Sequence, residues 1–477
     1  MWRLLFICKR PKYKGMAENQ LKEQQDDEIA EIGISDSQIS TIVDAIDEGD
    51  KKAVNLALDS LDAVDTAVLL EKIGAEGRQA LLENHSHQFD GDVFVEIDSD
   101  LRKKILESLS PKKVADYISE LDSDDALDLL QNLDPIFQKD VLKKLSGRDR
   151  EAIEEGLNFP EESAGRLMQR EFVAIPEFWT VGKTIDYLRE AAEDIPEDFS
   201  DIFVITPTYH VAGEIPLNRI LRSQRSKKIA ELVLDKITTI PASMDQEDVA
   251  RIFKREGYAS APVIDDNERL IGVITIDDII HVVHEEAEED ILRMGGLEKT
   301  DLYSAVLETA QARFSWLAIN LITAIAASIV IGFFEATIAQ IVALAILLPI
   351  VASMGGNAGT QTLTVTVRAL ATKAISSSNA LRMIGKEIIV GLINGIIFAV
   401  IMGGIVWVWF GSPLLGGVIA AAMIINMITA GLFGICIPLA LERLKIDPAL
   451  ASTVFLTTMT DVIGFFAFLG LAAWLLV

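Results

Sequence analysis

The chain has 477 residues, 50% of them hydrophobic, and a formal net charge of −28. From residue 314 onward it carries five acids and six bases, whereas the first 313 residues carry 66 acids and 37 bases, so an acidic, soluble-looking part precedes a nearly neutral apolar part. The acidic balance argues against nucleic acid as a ligand, because nucleic-acid binding needs basic patches, and the two cysteines give neither a disulfide framework nor a CxxC metal spacing.

The first residues read "MWRLLFICKRPKYKG", which is basic and only briefly apolar. The apolar run is too short for a signal peptide and has no small-residue cleavage site. We therefore expect residues 1–17 to form a disordered basic tail. Met16 opens a polar stretch that is typical of a true N-terminus, so Met1 and Met16 are both candidate starts.

Residues 18–162 are predicted to form an all-α superhelical domain. The segments "DSDLRKKILESLSPKKVADYISEL", from Asp98, and "DSDDALDLLQNLDPIFQKDVLKKL", from Asp122, align with an offset of 24 residues. A weaker copy precedes them. Repeats of this kind stack short helices into a small solenoid.

Residues 163–227 and 228–281 are predicted to be two copies of one α/β module. "DIFVITPTYHVAGEIPLNRIL" and "SAPVIDDNERLIGVITIDDII" align with an offset of 59, and each predicts two short strands, a turn and a helix. The second copy ends in "GVITIDD", where Thr275 and Asp278 could bind the phosphate and ribose of an adenine nucleotide. The first copy lacks both residues, so this nucleotide signal is present once.

Residues 282–313 are predicted to form a connecting helix that runs straight into the first apolar segment. It contains an acidic run, and like charges three and four residues apart repel one another on a helix. Divalent cations such as Mg²⁺ and Ca²⁺ favour carboxylate oxygens and would relieve that repulsion. A solvated acidic linker is the alternative. The acids of this run are Glu285, Glu286, Glu288, Glu289 and Asp290, and Asp245, Glu247, Asp277 and Asp278 of the second module add to the repulsion.

Residues 314–477 are predicted to form a membrane domain of five helices. Each apolar segment is long enough to span the hydrocarbon core, which takes roughly 20 residues, and the predicted spans are 314–334, 338–357, 388–410, 414–440 and 448–477. Lys and Arg occur only in the connections that lie on the side of the acidic half. The positive-inside rule therefore predicts cytoplasmic N-terminal domains and a C-terminus outside.

One carboxylate, Asp461, lies deep in a predicted span, and none of the spans has a base at its depth. Such acids usually face a cavity or a pathway, and helical spacing puts Thr453, Thr457 and Gly464 on the same face. Asn357 and Gln361 start a second polar stripe. It follows a pair of glycines, and we expect these glycines to loosen the helix backbone. Asn426 either faces the same cavity or packs helices together.

The motifs "ESAGRLM", "EEAEEDILRMGG", "GGNAGTQ" and "TTMTDVIGFF", with the duplicated modules read as cystathionine-β-synthase (CBS) modules, resemble the MgtE family of magnesium channels. The resemblance covers roughly residues 18–477. It implies a homodimer with a pore on the dimer axis, in which Asp461 of each subunit holds a largely hydrated Mg²⁺. It also implies that the cytoplasmic domains sense Mg²⁺ and close the pore through the connecting "plug" helix. The positions that match the family's sensor acids are Asp245, Glu247, Asp277, Asp278, Glu286, Glu289 and Asp290. Met354 and Thr360 depart from the family pattern.

The resulting prediction is a multidomain membrane protein with a superhelical all-α domain, α/β tandem CBS domains, a plug helix and five transmembrane helices. Its function would be to move Mg²⁺ into the cytoplasm through the cell inner (plasma) membrane, without enzymatic activity and with ATP as a candidate ligand of the CBS modules. The alternatives are a carrier for Co²⁺ or Mn²⁺, a membrane-tethered nucleotide sensor and an intramembrane aspartyl protease. The last normally needs two aspartates within the spans of one subunit.

Overall fold

The computed structural model describes residues 33–191, 195–196, 199–234, 237–297, 306–376 and 378–477. The predicted basic tail, residues 1–17, lies outside this range. The chain divides into two compact units, one ending at Ile279 and one from Ile280 to Val477. They are described separately below.

The first unit begins with a series of short helices, and it confirms the 24-residue repeat. The helix that starts at Ser99 is followed by its repeat at Ser123, and the helix that starts at Pro111 by its repeat at Pro135. Proline at the first helical position fits because its missing N–H would have no partner there. The helices are α1 (Asp36–Glu48), α2 (Lys51–Leu58), α3 (Ala63–Lys72), α4 (Ala75–Asn84), α5 (Gly91–Val95), α6 (Ser99–Ser108), α7 (Pro111–Ile118), α8 (Ser123–Gln131), α9 (Pro135–Leu142), α10 (Gly147–Leu157) and α11 (Ala164–Leu167).

Two three-stranded sheets follow, and they confirm the duplicated α/β module. In each sheet the central strand pairs in parallel with the first strand and antiparallel with the third. The third strands match through Gly213 and Gly272, which pair with Val204 and Val263 at the predicted offset of 59. The elements are β1 (Ala174–Pro176), α12 (Val181–Glu190), β2 (Asp201–Ile205), β3 (Val211–Pro216), α13 (Leu217–Leu221), β4 (Ile240–Pro241), α14 (Gln246–Glu256), β5 (Ser260–Ile264) and β6 (Leu270–Thr275).

The connecting helix, α15 (Ile276–Met294), differs from the prediction for residues 282–313. It begins directly after β6 and ends before Gly295, so the expectation of one helix that runs into the membrane is wrong. Gly296 adopts a left-handed φ of 76°, and the Leu297 N–H donates to the Leu292 carbonyl over 2.9 Å. This is the hydrogen bond of a glycine C-cap, which satisfies a carbonyl at the helix end.

Five helices of the described chain are long and apolar enough to cross a membrane, as predicted. A short helix, α17, precedes the second of them. The second unit contains α16 (Val306–Gly332), α17 (Glu335–Gln340), α18 (Ala343–Ala371), α19 (Ala380–Phe410), α20 (Pro413–Arg443) and α21 (Pro448–Leu475). Its apolar core lies between α18, α20 and α21 and includes Leu347, Val351, Met423 and Phe468.

The paired glycines Gly355 and Gly356 do not loosen α18, which is helical from Ala343 to Ala371. That expectation is wrong, because the close packing of neighbouring helices, and not a loosened backbone, explains the glycines here. A Cβ at Gly355 would overlap the Asn426 side-chain amide, and a Cβ at Gly359 would come within 2.9 Å of Leu456. Glycine therefore lets α20 and α21 approach α18, as small residues commonly do in membranes.

Candidate functional site: an intramembrane carboxylate and two acidic clusters

Asp461 lies at the middle of α21, and its side chain is partly exposed in the single chain. Within the described residues it forms no ion pair, and no Lys or Arg lies on the neighbouring turns of α21. One turn earlier, Thr457 uses its hydroxyl to bond the Thr453 carbonyl at 2.9 Å. An acid at this depth that lacks a basic partner is expected to contact water or a cation.

Asn426 and Gly464, both predicted near the pathway, are buried against each other. Asn426 is 1% exposed and donates from Nδ2 to the Val351 carbonyl at 2.8 Å. A Cβ at Gly464 would come within 2.8 Å of that same Nδ2. These are the contacts of side chains that join α18, α20 and α21, so a pore-lining role for these two residues stays a prediction.

Asn357 and Gln361 lie on an exposed face of α18. Ser353 and Thr364 continue that face, and Asn357 Nδ2 lies 3.3 Å from Ser353 Oγ. Arg368 extends it by one more turn. A polar face of a membrane helix that is left uncovered in one chain is unfavourable against lipid, so it requires protein or water on that side.

The end of α15 forms the first acidic cluster, because it lies beside the start of α21. Arg293 forms ion pairs with both Glu289 and Asp447. Burial raises the pKa of Asp290, the nearby charges of Asp447 and Glu286 raise it further, and the Arg293 charge opposes them. Asp447 was missed by the sequence reasoning. Its only local signal was its position one residue before Pro448, where a helix N-cap is expected.

The second cluster joins α8 to the first turn of α15 within the first unit. Asp124 is 8% exposed, and its Oδ1 atom has no hydrogen-bond partner among the residues that the structure describes. Burial and the charge of Asp278 raise the pKa of Asp124 well above its usual value. The same two causes raise the pKa of Asp125 to about 7, and Asp277 contributes to a raised pKa at Asp122.

A buried carboxylate oxygen with no partner is costly, and hard divalent cations favour such oxygens. The cluster therefore suits a cation chemically. Among the described residues, however, no three His, Cys, Asp or Glu side chains are already arranged to hold one ion. The sequence reasoning identified Asp277 and Asp278 but missed Asp124 and Asp125, because their proximity to α15 is a tertiary contact.

The remaining predicted sensor residues have local partners. Asp245 caps α14 and accepts the Glu247 N–H at 2.9 Å, while Glu247 lies 3.6 Å from Arg251. In the nucleotide motif, Thr275 Oγ1 donates to Asp278 Oδ2 at 2.5 Å. Glu286 and Glu289 lie on α15, and both of these acids have interaction partners.

Comparisons with known proteins agree with this architecture. A family model described as a divalent cation transporter matches residues 348–471, the MgtE intracellular N domain matches residues 61–162, and a CBS domain matches residues 229–285. Five apolar helices joined to an intracellular helical domain and CBS folds thus define a membrane transport protein of the divalent-cation class.

Relatives of known name identify the family. The magnesium transporter MgtE of Thermus thermophilus is 34% identical over 335 residues, which are 70% of this chain and 74% of that protein. The magnesium transporter MgtE of Bacillus subtilis is 31% identical over 329 residues, 69% of this chain and 73% of that protein. The chain belongs to the MgtE family of magnesium transporters, and its N-terminal domain is therefore cytosolic.

Among solved structures, the cytosolic domain of the Mg²⁺ channel MgtE in complex with ATP is 27% identical. The match covers 51% of this chain and 99% of the chain in that structure, with a TM-score of 0.48. The soluble part of a magnesium transporter is 26% identical and covers 53% of this chain and 98% of its own, with a TM-score of 0.46.

Proposed function

We propose that two copies of this chain form a Mg²⁺ channel in the cell inner membrane, and that Mg²⁺ flows through it into the cytoplasm down its electrochemical gradient. The observation that carries the proposal is the mid-membrane carboxylate of Asp461, which has no basic partner in the described chain. In a two-fold dimer one such residue supplies two carboxylates, facing each other across the axis.

The exposed polar face of α18 supports the dimer. Asn357, Gln361 and Arg368 are exposed in the single chain, and lipid cannot satisfy their hydrogen-bonding groups. A second copy, with water between the subunits, covers this face and Asp461 at the same time. The same arrangement places Thr453 and Thr457, which precede Asp461 on α21, on the cytoplasmic side of the carboxylates.

The chemistry of Mg²⁺ favours two facing acids over a closed cage of ligands. Mg²⁺ dehydrates reluctantly and usually keeps several waters, so paired carboxylates hold the ion by accepting hydrogen bonds from its waters. Acid rings of this kind select cations. An inside-negative potential favours entry by about 2.3 kcal/mol per charge per 100 mV, and a divalent ion has twice that advantage. Inward flow therefore needs no ATP hydrolysis.

Cytosolic Mg²⁺ closes the channel by bringing carboxylates together. Without the ion, Asp124 and Asp125 repel Asp278, and Asp290 repels Asp447. Bound cations remove that repulsion and favour the contact of α8 with the first turn of α15, and the contact of the last turn of α15 with α21. Asp277 adds a carboxylate at the α8 contact, and Asp245 and Glu247 at the start of α14 are further proposed ligands. The ion shifts the equilibrium only as far as it prefers the closed form.

A nucleotide is the second ligand that we propose for the CBS pair. Thr275 and Asp278 form one hydrogen-bonded unit at the end of β6, which suits contacts to ribose and phosphate. Asp278 also belongs to the α8 cluster, so adenine nucleotide and Mg²⁺ would be coupled through this carboxylate. Mg²⁺ uptake measured with and without cytosolic ATP tests this coupling.

The decisive test of conduction is Mg²⁺ uptake into vesicles that contain wild type or Asp461→Asn. The substitution keeps the size of the side chain and removes its charge, and we expect it to abolish most of the uptake. Hexaamminecobalt, which mimics the hydrated ion, should block the wild type. Glu335→Gln is the matched control, because Glu335 is an exposed acid outside the five spans.

Three results would contradict the proposal. Uptake by Asp461→Asn at the wild-type rate would remove Asp461 from the pathway. Uptake that depends on a proton or sodium gradient would instead favour a coupled carrier, and a stronger response to Co²⁺ or Mn²⁺ than to Mg²⁺ would favour a different cargo.

A further inference from the structure

The last turn of α15 contains a positively charged side chain, Arg293. The Arg293 guanidinium forms an ion pair with Asp447 through Nη1 and with Glu289 through Nη2. The three side chains are each 27–32% exposed, so the pairs are partly shielded from solvent. Charge-assisted contacts of this kind are stronger than those at a fully exposed surface.

The Asp447 carboxylate is divided between two tasks. Its Oδ1 accepts the Ala449 N–H at 2.7 Å and caps the start of α21, while its Oδ2 pairs with Arg293. A guanidinium near a helix N-terminus would be repelled by the positive end of the helix dipole. Asp447 lies between the two and makes the approach of Arg293 favourable.

Two further contacts hold the same turn of α15. The Thr453 hydroxyl donates to the Met294 carbonyl at 3.1 Å. The Met294 side chain packs on an apolar cluster that contains Leu363, Val367 and Leu456. The end of α15 is thus attached to α18 and α21 by an ion pair, a hydrogen bond and apolar packing, all of them formed by the side chains and backbone of this chain.

The charges around this turn explain why an attached cation matters. Glu286, Glu289, Asp290 and Asp447 are four carboxylates, and Arg293 is the base that opposes them at Asp290. Replacing its charge by a neutral group would remove the Arg293 charge that opposes the repulsion between Asp447 and Asp290. Docking of α15 would then depend on the Thr453 hydrogen bond, the Met294 packing and cations from solution.

We propose that Arg293 is a tethered cation that favours docking of the last turn of α15 on α21 and so adds to the effect of free divalent ions. It thereby lowers the cytosolic Mg²⁺ concentration at which the channel closes. The inference rests on the proposed function, since it assumes that docking of α15 closes the pore. Arg293 is a positioning residue in this scheme: it acts through Asp447, and it contacts no transported ion.

The first experiment measures how cytosolic MgCl₂ inhibits Mg²⁺ currents of the full chain in membrane patches. Arg293→Gln should raise the half-inhibiting concentration by about fivefold or more, the low end of usual coupling between sites. Arg293→Lys should restore part of the shift, because it keeps the charge and loses the planar fork. Arg382→Gln, at an exposed arginine of α19, is the control and should behave as wild type.

The second experiment measures hydrogen exchange over the last turn of α15 in the same full-length variants. In EDTA, Arg293→Gln should be less protected than wild type, and MgCl₂ should restore protection to the variant. A double variant that combines Arg293→Gln with Asp447→Asn should lose no more protection in EDTA than Asp447→Asn alone, because each substitution breaks the same ion pair. Asparagine at position 447 keeps the N-cap.

Three results would overturn the proposal. A lower half-inhibiting concentration in Arg293→Gln would mean that Arg293 competes with the ion. Unchanged exchange in EDTA would mean that it docks nothing, and protection that MgCl₂ fails to restore would mean that its role is only structural. Wild-type currents that ignore cytosolic MgCl₂ would instead contradict the gating part of the proposed function, so the two failures are distinguishable.

Discussion

Asp125 gives the sharpest test of the acidic cluster between α8 and α15. Its pKa is raised from 3.8 to about 7, by burial first and then by the charge of Asp278. A carboxyl whose pKa is raised in the folded protein stabilises the structure below its unfolded pKa, and this contribution is lost as pH rises through the folded pKa. At pH values above about 7 the ionised group therefore opposes the contact between α8 and α15.

The size of this effect follows from the pKa. Since one pKa unit corresponds to about 1.4 kcal/mol, the rise to about 7 corresponds to a cost of about 4 kcal/mol for the ionised form. Solvent relaxation makes this an upper bound. Asp125→Asn removes the charge, so the opening of α8 in EDTA at about pH 8 should become less favourable by up to about 4 kcal/mol, or about a thousandfold.

The assay is hydrogen exchange of the α8 amides in the full chain, because exchange reports local opening free energies. Wild type should exchange more slowly in MgCl₂ than in EDTA, whereas Asp125→Asn should be protected in both. The control is Asp140→Asn, at an exposed acid of the next helix, α9, whose carboxylate pairs with Lys143 over 2.7 Å. Equal exchange by wild type and Asp125→Asn in EDTA would refute the reasoning.

Two further predictions follow from the same structure. First, protons should replace Mg²⁺ at the α8 cluster, because protonation of Asp125 also removes the repulsion. As pH falls through about 7, which is the pKa of Asp125, the cytosolic Mg²⁺ concentration that half-inhibits uptake should fall. A half-inhibiting concentration that does not change with pH would contradict this. Second, Gly355→Ala should destabilise the membrane domain by about 1–3 kcal/mol, because its Cβ would overlap Asn426. Thermal unfolding in detergent measures this, and Gly356→Ala, whose Cβ would meet nothing within 4 Å, should change little.

Local pattern predicted most of the fold. The 24-residue repeat, the duplicated α/β module and the five spans all have periods or lengths that are visible along the chain, because each element buries its own apolar positions. The two wrong expectations both concern glycine pairs. Gly295 and Gly296 end α15, where a helix was expected to continue, whereas Gly355 and Gly356 continue α18, where a loosened backbone was expected.

These pairs differ in what surrounds them rather than in their own sequence. Gly296 takes a left-handed φ that ends a helix, while Gly355 is held by the packing of Asn426. The candidate functional site shows the same limit of prediction from local sequence. Asp461 was evident as a lone acid in an apolar run, but Asp124 and Asp447 acquire meaning only from residues distant in sequence, Asp278 and Arg293.

The divided carboxylate of Asp447 restricts how this protein can change over evolutionary time. One of its oxygens begins a membrane helix and the other attaches the helix that leads from the cytosolic domains. A substitution that retunes the response to the ion therefore also disturbs the start of α21, unless the new side chain still caps it. Among the common N-cap residues asparagine has the same shape, so descendants that alter sensitivity are expected to pass through asparagine at this position or to change Arg293 instead.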